Sequence, residues 1–529
     1  MWWILVAAAA VAFGYWFLTR PRNYWAKKGV KQGPPSFILR DILEMVLRKR
    51  SFAEMVEIVY NMCPNTRYSG FYQFFLPTLV LKDPDLIKQI TVKDFDHFVD
   101  RRNFIPEDSD PLWSKNLVAL TGRKWREMRA TLSPSFTSSK MKYMFTLMSQ
   151  NGEQFVKYFL KKNETVVTVE MKDTFTRFTN DVIASTAFGV ECDSLGDRTN
   201  EFYMMGKDAT DFSGFWKNIS FLVYMLAPKL GKFFQLTFFS KRVAHFFTNL
   251  IKSNIRSREK LGIVRPDMIH LLLEARKNGL KHEETEPQDT GFATVAESEI
   301  TKNPKNTKTE ITDLDITSQA LIFFFAGFDS VSGLMCFMSH EIAVNPDVQT
   351  RLIEEVDETL VACKGKLTYE ALLGMKYMDM VVSETLRKWP SSGAMDRICT
   401  KPYTIEPKFP DEKPVHLEKN DVVWLPIFGL HRDPQYYPEP ERFDPERFND
   451  ENKGNINPYA YVPFGSGPRN CIGSRFALLE TKTLFFYILS YFEIVPVEKT
   501  QIPLVISKKH FNLTAEKGFW LGLKRRSRI

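Results

Sequence analysis

The stretch from Asp313 to Asn345 constrains the fold most, because it contains no proline and is predicted to form a single long helix. Asp313 is placed to cap this helix and Pro346 ends it, which gives a length of roughly 48 Å at 1.5 Å per residue. Its middle, from Ala320 to Phe328, is apolar on every side and should be buried. A buried helix of this length crosses an entire domain, so the sequence predicts a large and mainly helical fold.

Two polar side chains, Asp329 and Ser330, interrupt the apolar part of this helix. They could be structural, with Asp329 accepting a hydrogen bond from a neighbouring amide and Ser330 bonding back to a carbonyl of its own helix. Alternatively, Gly327 could let the helix widen locally, so that the acid and the alcohol pass protons to a molecule bound there. The helix alone leaves both interpretations open.

A smaller β portion is predicted near the beginning of the chain. Residues 67–83, RYSGFYQFFLPTLVLKD, have the pattern of a hairpin that turns about Leu76 and Pro77. A helix should follow, with Asp83 as its cap and Pro84 in its first position. The polar stretch 281–310 is predicted to be a surface loop inside one catalytic domain, 38–529, and a domain boundary there is the alternative.

The N-terminal residues 1–19 carry no charged side chain and are about long enough to cross a bilayer. Positive charges follow in the basic and proline-rich linker 20–37, which predicts a transmembrane anchor with the catalytic domain on the cytosolic side. A cleaved signal peptide is the alternative. The net charge of +8 is spread along the chain without a long basic run, so it favours a membrane surface or an acidic partner over nucleic acid.

One of the six cysteines, Cys471, lies in the stretch FGSGPRNCIG. The glycines there permit positive φ and a close approach of the backbone to a ligand, so the loop is suited to present a thiolate to something large. The six cysteines lack the paired spacing that zinc and redox sites use, which favours a reducing compartment.

A charged triad is predicted on the stretch MDMVVSETLRKWP and its surroundings. Glu384 and Arg387 are three residues apart and therefore adjoin on one helix face. Arg447, in the turn-rich stretch PERFDPERF, could reach Glu384 and complete a buried group whose members cannot be removed singly.

Taken together, these stretches resemble the cytochrome P-450 family, the haem-thiolate monooxygenases. The haem-binding pattern of the family, FxxGxRxCxG, is met from Phe464 to Gly473, and its ExxR pattern is met by Glu384 and Arg387. Its PxxFxPxRF pattern is met from Pro440 to Phe448. The details resemble the insect microsomal branch, which is related to the vertebrate drug-metabolising enzymes.

The resemblance implies a mainly α fold with a small β portion, and it implies roles for individual residues. Cys471 would be the thiolate ligand of the haem iron, with Phe464 packed on the sulfur side. Asp329 and Ser330 would deliver protons, and serine stands where the family usually has threonine, so the hydroxyl should be less well oriented. Further contacts to the haem, with the arginines as donors to its propionates, would come from Arg101, Trp125, Arg129, Arg397 and Arg469.

The resemblance also implies NADPH and O2 as co-substrates, NADPH–cytochrome P-450 reductase and cytochrome b5 as electron-donating partners, and a location in the endoplasmic reticulum membrane. The substrates would be lipophilic xenobiotics, such as plant toxins or insecticides. Two other functions of the same fold are a haem-thiolate isomerase or dehydratase and a non-enzymatic haem sensor. Contacts to substrate are expected from Phe104, Trp113, Phe323, Phe324 and Leu513.

Overall fold

The computed structural model of the chain describes residues 23–33, 44, 48–73, 76–103, 105, 109–211, 223, 228–234, 236–265, 267–278, 291–295, 311–510 and 512–527. The predicted anchor, residues 1–19, lies outside these ranges, as do part of the linker 20–37 and most of the stretch 281–310. The predictions of an anchor and of a surface loop therefore remain predictions.

Helices account for most of the described chain. Short π-helical turns lie at Gln89–Lys93 and Ala184–Phe188, and short 3₁₀ turns lie at Phe95–His97, Ser133–Phe136, Pro445–Phe448 and Lys453–Asn455. The α-helices are α1 (Tyr24–Lys27), α2 (Phe52–Asn61), α3 (Pro84–Lys88), α4 (Pro111–Ser114), α5 (Gly122–Leu132), α6 (Ser138–Leu160), α7 (Met171–Ile183), α8 (Glu201–Thr210), α9 (Pro228–Phe233), α10 (Lys241–Leu261), α11 (Met268–Asn278), α12 (Asp313–Val344), α13 (Pro346–Ala362), α14 (Tyr369–Gly374), α15 (Lys376–Lys388), α16 (Ile427–Leu430) and α17 (Ser474–Tyr491).

The strands form small sheets beside this helical body. They are β1 (Tyr68–Gln73), β2 (Leu76–Leu81), β3 (Val166–Glu170), β4 (Met395–Ile398), β5 (Tyr403–Ile405), β6 (Val415–Leu417), β7 (Val422–Leu425), β8 (Phe492–Pro496) and β9 (Trp520–Arg525). One sheet has the order β1-β2-β7-β4, in which only β2 and β7 are parallel, with Thr78 opposite Val422. Another has the antiparallel order β3-β9-β8, and β5 pairs with β6. The prediction of a mainly α fold with a small β portion is confirmed.

Helix α12 is the predicted long helix, and it ends at Val344, just before Pro346. Its cap differs from the prediction, because Thr312 is the capping residue and Asp313 is the first helical residue. The Thr312 hydroxyl accepts a hydrogen bond from the Asp315 amide, and the Asp315 carboxylate accepts one from the Thr312 amide. This reciprocal pair needs an acceptor three residues after the cap, which Asp315 supplies for Thr312.

The long helix passes through two apolar clusters. Residues from Ile316 to Phe328 pack with α8 and α10, and residues from Val331 to Ala343 pack with α6, α15 and α17. Asp329 and Ser330 lie where the helix leaves one cluster and enters the other. The helix is α-helical throughout, so the widening expected at Gly327 is not found. In the described part of the chain, α12 alone is long and apolar enough to cross a bilayer, and most of it is buried inside the protein.

The predicted hairpin is confirmed, with β1 and β2 antiparallel and Tyr68 opposite Leu81. Its turn lies earlier than predicted, because Leu76 and Pro77 already belong to β2 and pair with Gln73 and Tyr72. Asp83 caps α3 and Pro84 occupies its first turn, as predicted. The hairpin joins the β7–β4 strands, and β4 carries Arg397 towards the loop that contains Cys471.

Candidate active site

The Cys471 loop contains two turns that favour glycine. Gly465 and Gly467 have φ angles of +79° and +73°, and a Cβ atom on Gly467 would lie 1.7 Å from the Thr91 carbonyl oxygen. The Cys471 amide donates to the Phe464 carbonyl at 2.9 Å, which closes the loop just before α17 begins at Ser474. The glycines thus let the loop approach Thr91 and turn back before α17 begins.

The Cys471 thiol lies deep in the protein yet keeps accessible surface. Burial raises the pKa of this thiol, and a hydrogen bond from the Gly473 amide and the charges of Arg129 and Arg101 act in the opposite direction. Burial outweighs these effects, and a metal ion bound at the sulfur would be needed to favour the thiolate.

Three buried guanidinium groups converge beside this loop. Arg101 Nη2 donates to the Arg469 carbonyl at 2.9 Å, and Arg397 Nη2 donates to the Ser466 carbonyl at 3.3 Å. Arg469 itself donates to the carbonyls of Val99 and Leu120, at 2.9 and 2.5 Å. Its ion pair with Asp100 is long, at 3.6 Å.

These arginines carry more positive charge than their surroundings balance. Burial and the neighbouring Arg101 lower the pKa of Arg397 to about 9, and burial with both neighbours lowers the pKa of Arg469 to about 8. Among the described residues, neither Arg101 Nε nor Arg397 Nε has a hydrogen-bond acceptor. A haem, whose two propionates are carboxylates, would supply the missing acceptors and negative charge, so the residues present fit this group.

Trp125 and Arg129 approach the same loop from helix α5. Arg129 is almost fully buried and donates to the Asn470 side-chain oxygen at 2.8 Å and to the Asn470 carbonyl at 3.2 Å. Trp125 lies under the Arg469 guanidinium, which is 4.3 Å from the indole ring centroid. The structure therefore brings together all the predicted haem-contact residues, and Phe464 packs beside them at the edge of the largest apolar cluster.

The predicted triad also assembles. Arg387 binds Glu384 through two hydrogen bonds of 2.7 and 2.9 Å, and both side chains are fully buried. Glu384 also accepts a hydrogen bond of 2.9 Å from the Asp444 amide. Arg447 is the more distant member, with Nε 3.6 Å from the Glu384 carboxylate. The triad ties α15 to the turn-rich stretch that precedes the Cys471 loop.

On the other side of the site, Ser330 and Asp329 adopt the structural contacts that the sequence left open. Ser330 Oγ donates to the Ala326 carbonyl at 2.5 Å, although the side chain remains exposed to the cavity described below. Asp329 forms a 2.8 Å ion pair with Lys172 and accepts a 2.6 Å hydrogen bond from the side-chain amide of Asn512. Burial alone would raise the pKa of Asp329, but Lys172 and Asn512 outweigh burial and hold it below its ordinary value.

A cavity of about 150 Å³ adjoins these two residues. Its apolar lining comes mainly from Phe325, Phe337, Trp389 and Leu513, and Leu513 is one of the predicted substrate contacts. Trp113 lies one layer back, with its ring 6.2 Å from that of Phe325. Phe104 lies outside the described residues.

Two of the predicted substrate contacts, Phe323 and Phe324, are not part of the lining of this cavity. Phe324 is fully buried and stacks on Phe328 at 4.9 Å, in the cluster between α12 and its neighbours. The Phe323 ring lies 5.4 Å from that of Phe136. Successive residues of an α-helix are rotated by about 100°, so only one of three adjacent phenylalanines faces the cavity, and it is Phe325.

Neither of the two partners of Asp329 could be predicted from the sequence. Lys172 is the second residue of α7, and Asn512 lies near the C-terminus, and neither belongs to a stretch of recognisable pattern. Lys172 also donates to the Ser332 hydroxyl at 2.9 Å and to the Asp329 carbonyl at 3.0 Å. These contacts depend on how α7 and the C-terminal segment pack on α12.

Comparison with known proteins agrees with this geometry. The family model described as Cytochrome P-450 matches residues 65–521. The chain is 46% identical to cytochrome P-450 9e2 of Blattella germanica, over 99% of this chain and 98% of that protein. It is 41% identical to probable cytochrome P-450 9f2 of Drosophila melanogaster, over 99% of each chain. It is 36% identical to cytochrome P-450 6k1 of Blattella germanica, over 97% of this chain and 95% of that protein.

These matches cover nearly the whole chain. They agree with the geometry of a loop that presents a cysteine beside buried arginines able to bind carboxylates. The chain belongs to the cytochrome P-450 family of haem-thiolate monooxygenases, which use haem iron, O2 and electrons derived from NADPH.

Proposed function

We propose that the chain is a membrane-anchored monooxygenase of lipophilic compounds in which Cys471 is the thiolate ligand of the haem iron. The observation that carries the assignment is the group of buried guanidiniums of Arg101, Arg397 and Arg469 beside the Cys471 loop. Such a group needs anions, and two propionates would satisfy it. The loop itself holds a single cysteine on a backbone path that favours glycine at 465 and requires it at 467, where a Cβ atom would meet the Thr91 backbone.

Haem iron with a thiolate ligand supplies the activation of O2, because the sulfur donates electron density to the metal. The chain's own contribution on this side is to hold the Cys471 sulfur in place and to offset part of the effect of burial, which on balance raises the pKa of this thiol. The Gly473 amide and the charges of Arg129 and Arg101 favour the thiolate and oppose the effect of burial.

On the cavity side, the residues proposed to handle protons are Asp329 and Ser330. Asp329 stays ionised because Lys172 and Asn512 stabilise its carboxylate. Ser330 Oγ is exposed to the cavity and can exchange its hydrogen bond with the Ala326 carbonyl for one to a molecule bound there. A hydroxyl that donates and accepts, next to an ionised carboxyl, is an arrangement that can transfer protons into the cavity.

The lining of the cavity supports a lipophilic substrate. Phe325, Phe337, Trp389 and Leu513 offer apolar surface, and Asp329, Ser330 and Ser391 offer a few polar groups that could orient a bound molecule. The apolar residues 1–19 would anchor the enzyme to the endoplasmic reticulum membrane, from which such substrates could enter. Xenobiotics such as plant toxins or insecticides are the proposed class.

The proposed electron donor is NADPH–cytochrome P-450 reductase, with cytochrome b5 as a second donor. The exposed side chains of Arg123 and Lys124 lie on α5, the helix that also carries Trp125 and Arg129 towards the Cys471 loop. A basic helix at this position would attract an acidic partner to the side of the molecule nearest the sulfur.

The carbon monoxide difference spectrum of the reduced full-length chain tests the ligand assignment. Wild type should give the Soret band of a thiolate-ligated ferrous haem, and Cys471→Ser should lose this band. The matched control is Cys363→Ser, which replaces a half-buried free cysteine at the end of α13 and should keep the band. A thiolate band that survives in Cys471→Ser would overturn the assignment.

The reaction is tested separately by reconstituting the enzyme with the reductase, NADPH, O2 and a panel of lipophilic compounds. A monooxygenase should form hydroxylated or epoxidised products only when NADPH is present. An isomerase or dehydratase would convert a suitable peroxide without NADPH, and a haem sensor would form no product.

A further inference from the structure

A short apolar segment, 291–295 (GFATV), lies within the otherwise polar stretch 281–310 and packs against the protein core. Ala293 is 4% exposed, and the Phe292 ring lies 5.2 Å from that of Phe448 and 5.5 Å from that of Tyr461. Both of these partners lie in the stretch that leads to the Cys471 loop. Segment 291–295 is therefore attached to the side of the protein that carries the sulfur.

The attachment is also polar and sterically specific. The Phe292 amide donates to Asp379 Oδ2 at 2.9 Å, and the buried Lys482 forms a 2.7 Å ion pair with Asp379 Oδ1. Gly291 has a φ angle of +140°, and a Cβ atom there would lie 2.0 Å from Asp379 Oδ1. Only glycine permits this approach, so the segment is seated on α15 and α17 by contacts that a chance association would not require.

The end of the segment reaches the surroundings of the cysteine. Val295 and Cys471 line the same small cavity, together with Phe136, Asn470 and Arg475. The cavity is about 10 Å³. A space of this size holds at most about one water molecule. Val295 thus forms one wall of a space that Cys471 also lines, and a water molecule in this space would lie beside Cys471.

Water beside a ligating thiolate alters the bond between the sulfur and the metal. A hydrogen bond to the sulfur withdraws electron density from the metal that the sulfur binds, and this weakens the bond between sulfur and metal. Apolar side chains around a metal site control this access of solvent. Loss of an apolar wall should therefore raise the reduction potential of the iron and weaken thiolate ligation.

We infer that segment 291–295 is a cover for the thiolate, which limits the access of water to the Cys471 sulfur and so preserves thiolate ligation. The inference rests on the proposed role of Cys471 as the haem ligand. Val295 and Phe292 are positioning residues in this view: Val295 forms one apolar wall beside Cys471, and Phe292 holds the segment in place.

The test uses the haem-loaded full-length chain and its carbon monoxide difference spectrum after reduction. Val295→Ala enlarges the cavity, and Phe292→Ala removes the aromatic contact that attaches the segment. Both should at least double the rate at which the thiolate-type band converts to the thiol-type band in mild urea, and both should shift the reduction potential to more positive values. Val295→Ile restores an apolar wall and should convert at the wild-type rate.

The matched control is Val190→Ala, which truncates a half-buried valine in a different apolar cluster. If Val295→Ala and Phe292→Ala convert no faster than Val190→Ala and keep the wild-type potential, the segment is not a thiolate cover, and the role of Cys471 is unaffected. Absence of a thiolate band in wild type would instead contradict the proposed function itself. Should Phe292→Ala not fold, Val295→Ala and Val295→Ile decide the question between them.

Discussion

The sulfur side of the active site, with the Glu384–Arg387 pair, and its cavity side, with Asp329 and Ser330, differ in how firmly their polar groups are held. On the sulfur side, Glu384 accepts three hydrogen bonds of 2.7 to 2.9 Å, and it and Arg387 are fully buried. On the cavity side, Ser330 is exposed, and Asp329 is held by side chains from two distant segments. Changes on the sulfur side should therefore cost folding free energy, whereas changes on the cavity side should mainly alter chemistry.

Breaking the buried pair should have the largest effect on stability. Glu384→Ala leaves the Arg387 charge buried without its partner, which should lower the free energy of unfolding by about 3–5 kcal/mol. Urea unfolding followed by circular dichroism, together with the haem content, measures this loss. The control Glu493→Ala removes one partner of the exposed pair with Lys524 and should cost less than about 1 kcal/mol.

The double replacement Glu384→Leu with Arg387→Met sharpens this prediction. Replacing both partners leaves no unpaired charge, so the double variant should be more stable than Glu384→Ala. Equal losses for the two variants would contradict a penalty that arises from an unpaired buried charge.

The next effect is a pH dependence of stability caused by His431. This side chain is fully buried, its Nε2 accepts a hydrogen bond of 3.0 Å from the Val462 amide, and burial lowers its pKa to about 3. The unfolded chain binds a proton near pH 6.5 and the folded chain does not, so stability falls as the pH drops from about 6.5 towards 3. The loss between pH 7 and pH 5 should be about 2 kcal/mol.

His431 Nδ1 also lies 3.2 Å from the Arg387 carbonyl oxygen. The variant that isolates the pH effect is His431→Gln, whose side-chain amide has both a donor and an acceptor for these two contacts and does not titrate. Urea unfolding at pH 7 and pH 5 should show a pH dependence smaller by about 2 kcal/mol in this variant. His416→Gln, on the exposed side of β6, is the control and should behave as wild type. An unchanged pH dependence in His431→Gln would show that His431 does not titrate on unfolding.

On the cavity side, Lys172→Met should cost only about 1 kcal/mol of stability, because the pair with Asp329 is partly exposed. Its chemical effect should be larger. Lys172 opposes the effect of burial on Asp329, so its removal raises the pKa of this carboxyl. The acid limb of the pH profile of product formation should therefore move to higher pH.

The control for Lys172→Met is Lys524→Met, which removes the exposed pair with Glu493 and should keep the wild-type pH profile. An acid limb that stays in place in Lys172→Met would mean that Asp329 does not govern proton delivery.

The smallest effect on stability is expected for Ser330→Ala, within about 0.5 kcal/mol, because the side chain is exposed and gives up one local hydrogen bond. Haem binding should be retained, but product formed per NADPH should fall and released hydrogen peroxide should rise. Ser330→Thr adds a methyl group that limits rotamers and should raise the product yield. Ser339→Ala, in the second apolar cluster along the same helix, is the control, and an unchanged yield in Ser330→Ala would remove Ser330 from the mechanism.

The sequence-based predictions were accurate where the chemistry is local. The long helix, the hairpin, the Asp83 cap and the pairing of Glu384 with Arg387 each depend on spacings of a few residues, which the backbone geometry converts directly into contacts. The Thr312 cap was missed because two neighbouring polar residues could each begin the helix, and only the reciprocal bonds with Asp315 select one of them.

The lining of the cavity is harder to predict from the sequence, because it depends on the packing of distant elements. Three adjacent phenylalanines, 323–325, look equivalent in the sequence, and only the positions of the neighbouring helices leave Phe325 in the cavity lining. The docking of segment 291–295 was missed for the same reason: its partners Asp379, Phe448 and Tyr461 are remote in sequence.

The sequence by itself thus determined the family, the mainly helical fold and the loop that presents Cys471, because glycine positions and helical spacings act over a few residues. Only the tertiary structure decided that Lys172 and Asn512 hold Asp329, and that Val295 lies beside Cys471. These contacts join parts of the chain far apart in sequence, and the energy of packing a whole core selects them rather than any local preference of the residues involved.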